Sequence, residues 1–113
     1  MSWNPMPFSN QSVLVTGAGR GIGQATAIKF ASAGASLVLC DIDESSLEET
    51  KALLPAETET LALAMDLTAD QAPQAVMEAA IHRFGRVDVV VNNAGYIWTV
   101  SYTHLTLPTI CSV

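Results

Sequence analysis

Residues 16–23 read Thr16-Gly17-Ala18-Gly19-Arg20-Gly21-Ile22-Gly23, and the rest of the chain is organised around them. They follow the apolar run Val13-Leu14-Val15 and open a segment with helical spacing of its apolar residues. Strand, glycine turn, helix is the setting in which such glycines signal dinucleotide binding. A side chain at Gly17 would obstruct the tight turn off the strand. One at Gly21 would hold the backbone away from a pyrophosphate, and one at Gly23 would wedge the helix off the sheet. The helix that begins here directs free N–H groups and the positive end of its dipole toward phosphates.

Rival glycine motifs fit less well. A phosphate loop of the Walker type needs Gly-Lys-Ser/Thr after four intervening residues, but Ile22 follows Gly21 and no Lys comes next. The G-x-G-x-x-G fingerprint anchored on Gly17 and Gly19 would need a glycine at position 22. What fits is T-G-x-x-x-G-x-G, and with it the sequence resembles the short-chain dehydrogenase/reductase family. The family's extended branch, T-G-x-x-G-x-x-G, would need glycine where Arg20 stands. The plain alternative is a glycine-rich turn without a ligand.

At 113 residues the chain holds one domain. Half of its residues are hydrophobic, enough to bury a core. Net charge is −6, and the five basic residues, Arg20, Lys29, Lys51, Arg83 and Arg86, are scattered. That argues against nucleic acid, whose phosphates need clustered Lys and Arg. The start carries no basic region followed by an apolar run, and no apolar stretch reaches membrane-spanning length. Cys40 and Cys111 form no disulfide framework or metal spacing, so a reduced cytoplasmic setting is expected.

Residues 1–11 read as a polar arm that Phe8 docks on the body. After the first strand, Ile22, Ala25, Ile28, Phe30 and Ala31 recur at helical spacing, and Gly34 closes that helix. Residues 36–40 form a second strand closed by Asp41. Asp43 caps a helix bearing Leu47, Leu53 and Leu54, which stops at Pro55. Residues 61–65 form a third strand ending at Asp66. Thr68 caps a helix with Ala72, Val76, Ala79, Ala80 and Phe84 on one stripe and Pro73 in its first turn. Gly85 terminates it, and 87–91 form a fourth strand leading into Asn92-Asn93-Ala94-Gly95. Met65 and Met77 read as core filler, His82 as solvent-facing. The fold expected is α/β: a partial Rossmann, doubly wound arrangement, with four parallel strands in order 3-2-1-4 and helices on both faces.

Asp41 lies twenty positions past Gly21, where the adenosine ribose arrives in such a fold. Its carboxylate accepts hydrogen bonds from ribose hydroxyls and repels a 2′-phosphate. At about 4 Å and an effective dielectric of about 20, that repulsion is on the order of 4 kcal/mol before screening. NAD is favoured over NADP on this ground. Arg20 argues the other way, since a basic loop residue can pair with a 2′-phosphate.

The resemblance implies further cofactor contacts. An Asp followed by an apolar residue after the third strand meets adenine in the family, matched here by Asp66 and Leu67. The family's N-N-A-G is matched at 92–95, placing Asn93, Ala94 and Gly95 beside the cofactor. With Gly17, Gly19, Arg20, Gly21, Ile22, Gly23 and Asp41, these complete the expected binding set. Tyr96, Ile97 and Trp98 would lie near the nicotinamide.

The resemblance covers residues 10–98. The family's Ser, and its Tyr followed by a Lys with three residues between them, the groups that handle the proton, have no counterpart. Tyr102 is followed four positions on by Thr106, and no lysine follows Lys51. After Thr99 the sequence is similar instead to one translated frame of a transposon end and sequencing adapter, with 110–112 as a variable index; the plain alternative is a natural β-rich tail with Thr and Leu alternating. Three segments are therefore expected: an arm at 1–11, an NAD(P)-binding Rossmann half-domain at 12–99, and a non-native tail at 100–113. With nothing native beyond it, the fourth strand would be an apolar edge, and a tail laid against it would say nothing of selection.

Two functions remain open at this point. One is an inactive fragment of an NAD(P)-dependent oxidoreductase that moves hydride between nicotinamide and a carbonyl or alcohol, 3-oxoacyl thioesters among the compatible substrates. Its parent would be a homo-oligomer. The other is a non-catalytic nucleotide-binding module completed by a partner chain. The fragment is expected to bind cofactor poorly, with aggregation or binding regained only after adding the missing half; tight, saturable NAD binding by a soluble monomer would favour the module.

Overall fold

A computed structural model describes residues 6–93 and the backbone of 109–112. Among the described residues five parallel strands form one sheet: β1 (Ser12–Thr16), β2 (Ser36–Asp41), β3 (Thr60–Ala64), β4 (Val89–Asn92) and β5 (Thr109–Ser112). Their order is β3-β2-β1-β4-β5. The first four lie in the expected 3-2-1-4 arrangement. The fifth lies parallel to β4, with Val90 opposite Ile110. The edge of the fourth strand is thus not bare: backbone from the tail segment lies along it, the arrangement allowed for above.

Alternation along the strands divides the core into two layers. Val13, Val15, Leu37, Leu39 and Val91 face α1 (Gly21–Ser32) and α2 (Glu44–Leu53), meeting Ala27, Ala31, Leu47 and Leu54. Leu14, Val38, Cys40 and Val90 face α3 (Ala72–Phe84), meeting Val76, Met77 and Ala80. Every residue of β1 is buried, as a central parallel strand covered on both faces must be.

Helix α1 does not bury the stripe its large residues suggest. Gly23, Ala27 and Ala31 face the sheet, while Ile22 is 61% exposed. Small side chains let the helix lie close to β1 and β2; Ile28 and Phe30 pack at its flanks. In α2, Leu47 is buried but Leu53 points outward, so the expected apolar triplet shrinks to Leu47 and Leu54. Asp43 caps α2 as expected, accepting from the Ser45 and Ser46 amides. Thr68 does not cap α3. Asp66 accepts from the Thr68 amide at 2.9 Å in a separate turn, and the helix starts at Ala72 with Pro73 in its first turn. Gly85 ends α3 as read.

Phe8 docks edge-on against Phe30, ring centroids 4.9 Å apart, and its amide donates to Ala33 O at 3.0 Å. At the amino end of the sheet, Ser12 N donates to Asp88 Oδ2 at 2.8 Å and Asp88 N to Ser12 O at 2.9 Å. That exchange sets the register of β1 against β4.

Candidate functional site

The carboxyl ends of β1, β2 and β4 converge on the glycine loop. The turn leaves β1 through Gly17 at φ +63°, a left-handed conformation that a side chain strains. A Cβ at Gly17 would also meet the Asn93 carbonyl oxygen at 3.2 Å. Ala18 N then donates to Cys40 O at 3.0 Å, which ties the loop to the end of β2.

Gly19 brings the loop to the expected acid. Its N–H donates to Asp41 Oδ2 at 2.9 Å, and Asp41 Oδ1 accepts from Asp43 N at 3.2 Å. Each carboxylate oxygen keeps a second lone pair for another donor. A Cβ at Gly19 would come within 2.6 Å of Ser46 Cβ and 2.8 Å of Asp41 Oδ2, so α2 and β2 together close on this residue.

Gly21 and Gly23 differ. Gly21 has φ +59°, and among the described residues a Cβ there would meet nothing within 4 Å. Its open side is free to receive a ligand. A Cβ at Gly23 would sit 2.0 Å from Gly17 O and 2.8 Å from Asn93 Nδ2. The expected wedge is real, and it falls first on the loop that leaves β1 and on Asn93 just past the end of β4. Arg20, the N-cap of α1, offers no side-chain cap, and no acidic residue occupies the first turn. The start of α1 thus keeps its positive polarity.

A knot of polar side chains fixes the base of the loop. The Thr16 hydroxyl donates to Asn92 Oδ1 at 3.0 Å and accepts from Asn93 N at 2.9 Å. β1 and β4 are joined through side chains as well as backbone, and Asn93 lies directly beneath Gly17 and Gly23.

Other expected residues fall as follows. Arg20 is 75% exposed and lies 3.7 Å from Asp43 Oδ2, a surface pair of small energetic weight. The Ser45 hydroxyl and then the Ser46 hydroxyl hold the Asp43 carboxyl down at about 2. Asp66 is exposed, and its carboxyl is held below the usual range by the Thr68 hydroxyl and then its amide. Leu67 is buried against the α3 layer, so its side chain serves the core. Ala94 and Gly95 lie outside the described residues, as do Tyr96, Ile97, Trp98, Tyr102 and His104.

Three participants were not read from the sequence: Gln24, Ser46 and Thr50. Thr50 Oγ donates to Ala18 O at 2.8 Å and accepts from Gln24 Nε2 at 3.0 Å. The signal for two of them was a polar stripe at helical spacing, Asp43, Ser46 and Thr50. Ile42, 70% exposed directly after Asp41, was also passed over. Among the described residues no cluster of His, Cys, Asp or Glu suits a metal ion, and no helix is long and apolar enough to cross a membrane.

A glycine loop joined to an acid at the carboxyl edge of a doubly wound sheet is the arrangement of the Rossmann type of α/β protein. The chain belongs to the short chain dehydrogenase family, which matches residues 11–113. It is 41% identical over 98 residues to the short chain dehydrogenase/reductase astE of Aspergillus oryzae, covering 83% of this chain and 38% of that protein. Levodione reductase of Leifsonia aquatica is 38% identical over 91 residues, covering 78% of this chain and 34% of that protein. The crystal structure of levodione reductase superposes with a TM-score of 0.75 over 78% of this chain and 35% of that one. A short chain dehydrogenase/reductase from Burkholderia phymatum in complex with NAD is 40% identical, with a TM-score of 0.73 over 78% of this chain and 32% of that one. The chain spans about a third of the length of the curated relatives it matches.

Proposed function

We propose that residues 12–99 form the NAD(H)-binding half of an oxidoreductase that moves hydride between nicotinamide and a carbonyl or alcohol carbon. One observation carries the reading: the Gly19 N–H bound to Asp41 at 2.9 Å, which joins the phosphate loop to the ribose acid. In this reading the pyrophosphate lies over the open side of Gly21 and the start of α1, and the ribose hydroxyls donate to Asp41. The nicotinamide is the hydride carrier when bound. Gly17, Gly19, Arg20, Gly21, Ile22, Gly23 and Asp41 make the phosphate and ribose contacts. Asp66, Leu67, Asn93, Ala94 and Gly95 complete the set, Leu67 through its backbone.

NAD is preferred over NADP, because Asp41 opposes a 2′-phosphate while Arg20 is drawn toward Asp43. A relative bound to NAD supports the same cofactor. The groups that handle the proton in the family are not among residues 1–113, so this chain alone turns nothing over. The setting is cytoplasmic, the active parent a homo-oligomer and its substrates small carbonyls or alcohols, 3-oxoacyl thioesters among them.

Fluorescence titration with NADH and NADPH tests the cofactor. NADH binds more tightly, and Asp41→Ser narrows the gap by roughly tenfold or more. Equal affinities in the unsubstituted chain contradict the assignment. A steady-state assay with NADH and simple ketones shows no turnover; measurable turnover contradicts the inactive reading.

A further inference from the structure

We propose that Thr50 is a positioning residue for the phosphate loop: its hydroxyl sets the orientation of the Ala18–Gly19 peptide, and through it the contact with Asp41. The inference rests on the cofactor reading above and adds a residue to it.

The 18–19 peptide unit is planar, so its carbonyl and its N–H turn together. Thr50 Oγ donates to the carbonyl oxygen of Ala18 at 2.8 Å. The N–H of the same unit, on Gly19, donates to Asp41 Oδ2 at 2.9 Å. One end of the plane is thus held by α2 and the other by the end of β2. Rotation of the peptide breaks both bonds. The plane carries glycine on one side, so its own steric preferences hold it weakly. The two hydrogen bonds therefore decide its orientation.

Thr50 is built for this task. It is wholly buried, and its single hydroxyl serves as donor to Ala18 O and acceptor from Gln24 Nε2. Both bonds leave α2, one for the loop and one for α1. A threonine within a helix more often bonds the preceding turn of its own helix or faces solvent. Gln24 Nε2 also lies 3.5 Å from Gly19 O, so α1 reaches the loop both directly and through the Thr50 hydroxyl. Ser46, one turn earlier on α2, packs against Gly19 and leaves no room for the loop to shift toward the helix. Thr50→Val keeps the shape but removes the donor to the Ala18 carbonyl and leaves Gln24 Nε2 only its 3.5 Å contact with Gly19 O.

Two readouts on the isotope-labelled 113-residue chain test the proposal. The first is amide hydrogen exchange at Gly19, with Val15 and Leu39 as internal controls. The second is NAD+ affinity from amide shift titration. In Thr50→Val, Gly19 exchange rises by about tenfold or more, while Val15 and Leu39 keep their protection. NAD+ affinity falls by about tenfold in the same variant. Thr50→Ser retains the hydroxyl and restores both readouts to within a few-fold of the unsubstituted chain. Should Thr50→Val unfold, Thr50→Ala removes the hydroxyl without β-branching and carries the same test. Unchanged Gly19 exchange in the variant lacking the hydroxyl overturns the proposal. So does unchanged NAD+ affinity in that variant. The unsubstituted fragment is expected to give weak but saturable NAD+ shifts; if it shows none, the cofactor reading fails, and Gly19 exchange alone decides the role of Thr50.

Discussion

Gly21 and Gly23 stand two positions apart and carry opposite duties. At Gly23 a methyl group has nowhere to go, since Gly17 O would lie 2.0 Å away. Gly23→Ala is expected to cost about 2–3 kcal/mol through overpacking, read from chemical denaturation. Gly21→Ala meets open space and bears only left-handed strain, on the order of 1–2 kcal/mol, yet its methyl occupies the space assigned to the pyrophosphate. NAD+ titration of Gly21→Ala should therefore show lost binding in a chain that still folds. Retained affinity would place the pyrophosphate elsewhere. Cys40 makes a third case. Burial, with the Asp41 charge beyond it, pushes its thiol well above the usual range, so it stays protonated and inert. In a Cys111→Ser background, a thiol reagent labels Cys40 only on denaturation; rapid labelling of the native chain would contradict its burial. The glycine pattern and Asp41 were legible in the sequence because each answers to a backbone demand at a fixed distance. Thr50 was not, because its role depends on where α2 lands.

At the scale of elements, terminators were easier to read than faces. Asp43, Pro55 and Gly85 ended or began helices where expected, since each acts through local chemistry. The buried face of α1 was misread because apolar size suggests burial, whereas close packing on the sheet selects Gly23, Ala27 and Ala31. Thr68 was misread because Asp66 used it for a turn of its own. Helix α2 bears a pH prediction. The Asp43 carboxyl falls from its ordinary 3.8 to about 2 in the folded chain. A depressed folded value gives stability that is fully present above the ordinary value and is lost as pH falls through about 2. The midpoint of thermal unfolding should fall between pH 4 and pH 2, and Asp43→Ala should flatten that part of the profile. An equally steep profile in Asp43→Ala would assign the effect to other carboxyls.

For the whole molecule, strand order followed from the alternation of strands and helices, with β1 in the middle of the sheet. The fifth strand did not, because strand addition to an apolar edge is largely a backbone affair. Residues 109–112 supply extended backbone beside β4, and that pairing asks little of the side chains. The cofactor face, by contrast, depends on three strand ends meeting at one loop, and this is the claim on which the functional account stands. Amide shift mapping of the labelled chain during titration with NAD+ tests it most directly. Saturable shifts at Ala18, Gly19, Gly21, Ile22, Gly23 and Asp41, with the amino end of the sheet at Ser12 and Asp88 unmoved, are the predicted result. Shifts absent from residues 17–23, or centred on the opposite end of the sheet, would contradict it.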